Sequence, residues 1–154
     1  MSSARTRQIE STSLEQSLAL AAWIGAKLRG GETIELISDL GGGKTTFVRG
    51  LAAGFGSADH VSSPSFTLSN QYRSGGNTLY HFDFYRLDEP GILQAELAEI
   101  LADDNNVVAI EWADVVAKIL PDDRLSITIR ATGETSRQFT FEYSDHLEYL
   151  VPSK

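Results

Sequence analysis

Apolar positions in this chain switch between helical spacing and short β-branched runs, and the alternation predicts a mixed α/β fold. Thr12 and Ser13, with Glu15 and Gln16 in capping-box positions, open a helix over residues 14 to about 28. Leu14, Leu18, Ala21, Ala22 and Leu28 fall near one face of it, and Gly30-Gly31 stops it. The run Thr33-Ile34-Glu35-Leu36-Ile37 predicts a strand, followed by a glycine-rich turn. A second helix then covers residues 45 to about 55, ended by Gly54 and Gly56. Two further strands, residues 67–72 and 78–84, face each other across Ser74-Gly75-Gly76-Asn77, so the sheet is not purely parallel. Asp88-Glu89-Pro90 opens a helix to about residue 101. Residues 107–110 form a continuous apolar run, the mark of a buried strand, which ends in Glu111-Trp112. A last hairpin pairs residues 125–130 with 138–143 around Thr132-Gly133. With no repeat or linker in sight, the expected organisation is a flexible N-terminal arm, residues 1–11, and one compact domain, residues 12–154.

Composition narrows the function. The 154 residues carry 13 Lys plus Arg against 21 Asp plus Glu, a formal charge of −8. A broad face gripping nucleic-acid backbone needs clustered basic residues, so any RNA is reached through a partner. The absence of Cys excludes disulfides, thiol nucleophiles and thiolate metal sites, and His60, His81 and His146 are too scattered for a metal cluster. The polar start lacks a signal-peptide core, and no apolar run nears the roughly 18 residues that cross a bilayer. The expected compartment is the cytoplasm, with no membrane partner.

The segment Ser38-Asp39-Leu40-Gly41-Gly42-Gly43-Lys44-Thr45 sits between a predicted strand and a predicted helix. In a phosphate-binding loop of the form G-x-x-x-x-G-K-[ST], glycines let backbone N–H groups converge on phosphate oxygens, and the helix start adds its positive dipole end. Lys44 then reaches the β- and γ-phosphates, and the Thr45 hydroxyl takes a position on Mg²⁺. Ser38 stands where the pattern has its first Gly. P-loop proteins that use Mg²⁺ also carry a carboxylate at the end of a buried strand beside the loop, which Glu111 fits; the other reading is an ordinary acidic strand exit. Trp112 either packs near the nucleotide or covers the sheet edge. Asp83, among the aromatics of residues 80–86, is either an acid near the Mg²⁺ or the attacking water, or the structural partner of Arg86. His81 alternates to the same face as Asp83 and reads more readily as structural. Hydroxyls in Ser62-Ser63-Pro64-Ser65-Phe66-Thr67 form either a γ-phosphate switch or a capped turn.

The chain has no Asn-Lys-x-Asp guanine motif, and its arginines do not cluster as in a kinase lid. The set SDLGGGKTTFVRGL, SSPSFTL, YHFDFYRLDEP and AIEWAD, spread in order over about residues 12 to 142, resembles the bacterial tRNA threonylcarbamoyladenosine biosynthesis ATPases, the TsaE family. The resemblance implies a P-loop NTPase-like α/β fold and a weak ATPase, ATP and water giving ADP and phosphate. It also implies a TsaD–TsaB partner complex that threonylcarbamoylates adenosine 37 of tRNAs reading ANN codons. In its terms Asp39, Leu40, Gly41, Gly42, Gly43, Lys44, Thr45 and Thr46 hold the nucleotide, with Ser65 in a switch and Trp112 beside the site. Thr45 and Glu111 serve Mg²⁺, and Lys44, Asp83 and Glu111 carry the catalysis. Leu14 and Arg137 are candidates for the family's remaining nucleotide contacts. The sequence departs from the family at Ser38, usually Gly, and at Ser65-Phe66, usually Thr-Tyr; Ser65 keeps the hydroxyl and Phe66 loses one. With no arginine finger evident in the chain, slow turnover raised by the partners is the expectation. Two rivals stand beside it: a nucleotide-sensing module that only sets partner affinity, and a small-molecule kinase.

Overall fold

The structure, a computed structural model, describes residues 4–38, 43–58, 69–84 and 91–153. Within them the chain runs β1 (Arg5–Ser11), α1 (Leu14–Lys27), β2 (Thr33–Ile37), α2 (Lys44–Phe55), β3 (Ser69–Ser74), β4 (Asn77–Asp83), α3 (Gly91–Leu101), β5 (Asn106–Glu111), β6 (Leu125–Ala131) and β7 (Arg137–Tyr143). Short 3₁₀ segments span Ala113–Ile119 and Asp145–Leu150. The seven strands form one sheet in the order β1-β7-β6-β2-β5-β4-β3. Its centre is parallel, β6, β2, β5 and β4, and antiparallel pairs close both edges. The mixed sheet flanked by helices is the expected fold class.

The side-chain alternation of β5 explains the layering. Val107 and Ala109 join a core with Ala21 and Ile24 of α1 and Phe47, Val48 and Leu51 of α2. Val108 and Ile110 point the other way, into a second core with Leu97 of α3 and Ala113 and Val116. A strand covered on both faces needs an unbroken apolar run, which is what residues 107–110 supply.

α1 and α2 touch almost backbone to backbone. A Cβ on Gly54 would lie 1.9 Å from the Ala22 carbonyl oxygen, so only glycine permits this approach. Gly54 is therefore an interior packing residue of α2, and the helix ends at Gly56, which caps it in the left-handed conformation. At the start of α1, Ser13 Oγ accepts the Gln16 amide at 3.1 Å while Gln16 Oε1 accepts the Thr12 amide at 2.7 Å. The buried face of α1 is Ser17, Ala21, Ile24 and Gly25; Leu14, expected on it, is 50% exposed.

Residues 5–11 correct the expected flexible arm. They form β1, paired antiparallel along the whole length of β7 from Arg5 opposite Tyr143 to Ser11 opposite Arg137. Ile9 packs on the core, and buried Ser11 Oγ meets Ser17 Oγ at 2.8 Å. This strand is specified by the open edge of β7 rather than by its own propensity. Among the described residues no helix is long and apolar enough to cross a membrane.

Candidate functional site

The parallel register brings three strand ends level. Leu36 of β2 stands opposite Glu111 of β5, and Glu111 stands opposite Asp83 of β4. The connection out of β2 leads toward β4, while that out of β5 crosses back to β6, so the strand ends border a topological switch point. Ligands of open α/β sheets bind in such crevices.

α2 begins here. Gly43 precedes it with φ +105°, a conformation that disfavours any side chain, and no side chain among the described residues caps the helix. The first-turn amides of a helix have no intrahelical acceptor and carry its positive dipole end, which suits an anion. Lys44 follows at once and is buried. Its Nζ donates to the Ser38 carbonyl oxygen at 3.3 Å, lies 3.5 Å from Glu111 Oε1, and sits over the Trp112 ring 4.8 Å from its centre.

Glu111 is buried as well, and its other oxygen, Oε2, is paired with Nε2 of His81, which is 1% exposed. Two charges and an imidazole thus share a nearly dry site, where each needs its partners. Trp112 takes φ 57° and ψ 53°, the one left-handed non-glycine among the described residues. A bulky residue there costs about 1–3 kcal/mol, and that turn swings the chain from β5 into the 3₁₀ segment with the indole over Lys44.

Two cavities adjoin the start of α2. One of about 120 Å³ is lined by Leu36, Ser38, Lys44, Trp112 and Asp114. The other, about 180 Å³ and mostly apolar, lies past Gly43 between Leu14, Thr46, Phe47, Ile129 and Arg137. Arg137 is held by three carbonyl oxygens of its own turn, those of Gly133, Glu134 and Ser136, at 2.8 to 3.3 Å. A larger cleft, about 540 Å³, opens near the start of β6 around Asp122, Asp123 and Glu142 and contains none of these residues. We place the chemistry at the smaller cavities, because Lys44 and the start of α2 are there.

The TsaE family profile, described as threonylcarbamoyl adenosine biosynthesis protein TsaE, matches residues 11–139. The chain belongs to the TsaE family. Among its relatives, the tRNA threonylcarbamoyladenosine biosynthesis protein TsaE of Bacillus subtilis is 36% identical over 131 residues, 82% of this chain and 79% of that one. The protein of the same name from Nostoc is 37% identical over 130 residues, 80% and 78% of the two chains. The crystal structure of Bacillus subtilis YdiB superposes with a TM-score of 0.77 at 30% identity, over 97% of this chain and 94% of that one. The TsaE role in tRNA threonylcarbamoyladenosine biosynthesis is thus the family's, and the YdiB fold is matched over 97% of this chain.

Against that family pattern, the structure brings Gly43, Lys44, Glu111 and Trp112 together, with half-buried Asp83 in register beside Glu111. Thr45 and Thr46 follow in the first turn of α2. Asp39, Leu40, Gly41, Gly42 and Ser65, with Ser62–Thr67 and Arg86, lie outside the described residues. The reading of the residues missed the contact of His81 with Glu111. Its one sequence signal was the two-residue spacing that puts His81 and Asp83 on one strand face.

Proposed function

We propose that this chain is a cytoplasmic Mg²⁺-dependent ATPase that converts ATP and water to ADP and phosphate. In this reading it acts with a TsaD–TsaB-type complex to threonylcarbamoylate adenosine 37 of tRNAs reading ANN codons, touching tRNA only through those partners. The observation that carries it is the buried Lys44 amine at the start of α2, 3.5 Å from the Glu111 carboxylate. An ammonium there, with the amides of a helix start behind it, is suited to the oxygens of a bound phosphate.

The residues present fit the metal too. The Thr45 hydroxyl and the Glu111 carboxylate are hard oxygen donors, and Mg²⁺ on a nucleotide takes one or two such protein groups, the rest being phosphate and water. When bound, Mg²⁺ supplies charge neutralisation on the phosphate oxygens. The chain's own part is positional: Lys44 turns from Glu111 to the β- and γ-phosphates, and Asp83 or Glu111 orients the attacking water. The mostly apolar pocket past Gly43, lined by Leu14 and Arg137 among others, supports its reading as the place of the base.

Calorimetric titration with Mg·ADP tests the site. The wild-type chain binds, and Lys44→Ala weakens binding at least about 30-fold, since losing one desolvated charge contact costs about 2 kcal/mol or more. Equal affinity in the two proteins would remove the nucleotide from this site.

A further inference from the structure

The Glu111 carboxylate is held at both oxygens, and the two holders differ in permanence. Oε1 faces Lys44 and Oε2 faces His81. A terminal carboxylate torsion is soft, so an oxygen without a partner turns readily. If Lys44 leaves for a phosphate, His81 is the holder that stays among the described residues. The sheet makes that contact rigid: β4 and β5 run parallel with His81 opposite Ala109, whose small side chain leaves the ring room to reach along the strand to Glu111.

Packing alone does not account for an imidazole here. His81 is 1% exposed, with Leu79 two residues before it on the same strand face, and an apolar side chain would fill such a position. Instead the ring carries a nitrogen, Nδ1, that is buried with no hydrogen-bond partner among the described residues. An unmet buried polar atom costs about 1–3 kcal/mol. A carboxylate accepts only, so Nε2 donates to Glu111, and Nδ1 is the nitrogen left without a partner among the described residues.

Resting on the ATPase reading, we infer that His81 is a positioning residue: it fixes the Glu111 carboxylate in the nucleotide-bound state, after Lys44 has turned to the phosphates. Groups that orient a metal-site or water-orienting carboxylate are worth about 10- to 100-fold in activity or metal affinity.

Four proteins test it: wild type, His81→Leu, His81→Gln, whose side-chain amide can still donate to Glu111, and Glu111→Gln. His81→Leu lowers kcat for ATP hydrolysis about 10- to 100-fold and raises the Mg²⁺ concentration that supports ADP binding about tenfold. ADP affinity without Mg²⁺ stays within about threefold of wild type, the split expected when orientation rather than binding is lost. His81→Gln recovers most of both losses. Nitrogen-15 spectra of the imidazole, taken without nucleotide, show the proton on Nε2 and shift in Glu111→Gln. The inference is overturned if folded His81→Leu keeps wild-type kcat and Mg²⁺ requirement, if His81→Gln is as impaired as His81→Leu, or if the ring spectrum ignores Glu111→Gln. A wild-type chain that binds no nucleotide would defeat the ATPase reading itself, and this inference with it, whatever the ring spectrum gives.

Discussion

Replacing Gly54 by alanine sets a methyl carbon 1.9 Å from the Ala22 carbonyl oxygen and 2.6 Å from its carbonyl carbon. Both atoms are backbone, so no rotamer change relieves the clash, and α1 and α2 have to separate by about an ångström in a core packed like a solid. Overpacking of this kind costs about 1–3 kcal/mol. Alanine returns about 1 kcal/mol through its better helix propensity. A clash this short belongs at or beyond the top of the overpacking range, which leaves a net loss of about 2 kcal/mol. Urea unfolding followed by far-ultraviolet circular dichroism reads it directly. At a slope of about 2 kcal/mol per molar, the midpoint falls by about 1 M. Gly76→Ala, in the β3–β4 turn with nothing within 4 Å of the added methyl, is the control and stays within about 0.5 kcal/mol of wild type. A Gly54→Ala protein that unfolds at the wild-type urea concentration or above would refute the close-packing argument.

Two further outcomes follow from individual contacts. Tyr149 donates to Glu32 Oε2 at 2.6 Å, and burial, then that hydrogen bond, raise its pKa above the ordinary 10.0. The folded state therefore prefers the protonated phenol, whose contribution is complete below pH 10 and is lost as pH rises through the higher folded value. Tyr149→Phe costs about 1.5 kcal/mol, the low end for a bond to a charged acceptor, because the Arg29 and Gly30 amides still serve Glu32. Urea midpoints then differ by a constant amount below pH 10 and converge above it; a difference that widens in alkali would contradict the sign. Trp112 lies against Lys44, and Trp23 lies apart on α1 beside Lys27. In a Trp23→Phe background, indole fluorescence changes on adding Mg·ADP and does not change in Lys44→Ala; an unaltered spectrum at saturating nucleotide would mean that Lys44 does not leave the ring.

Much of this architecture could be read from residue patterns because local and global signals agree. The apolar run of β5 is unbroken because both its faces are covered, and the Ser74–Asn77 turn has the glycines that a tight hairpin requires. Ser13 and Gln16 announce α1 by the chemistry of its exposed amides. The misses are all non-local. Arg-Thr-Arg-Gln-Ile-Glu-Ser has no strand pattern of its own, and only the free edge of β7 makes it β1. Leu14 was placed on the core face by its apolarity, yet it borders the cavity beside Gly43. The Lys44, Glu111 and Trp112 cluster was foreshadowed by one motif before a helix and one acidic strand end. The two-residue spacing of His81 and Asp83 puts them on one strand face, but the pairing of His81 with Glu111 also needs the parallel register of β4 on β5, which only the fold sets.

If this chain is a Lys44-dependent ATPase under partner control, the rate of phosphate release from Mg·ATP reads that out. The purified chain is assayed alone and with its cognate TsaD–TsaB pair, with Lys44→Ala as the blank. In that reading, release by the chain alone is slow, rises greatly with the partners, and is absent under both conditions in Lys44→Ala. Nucleotide binding with no release under either condition would contradict it and leave a nucleotide-sensing module in its place.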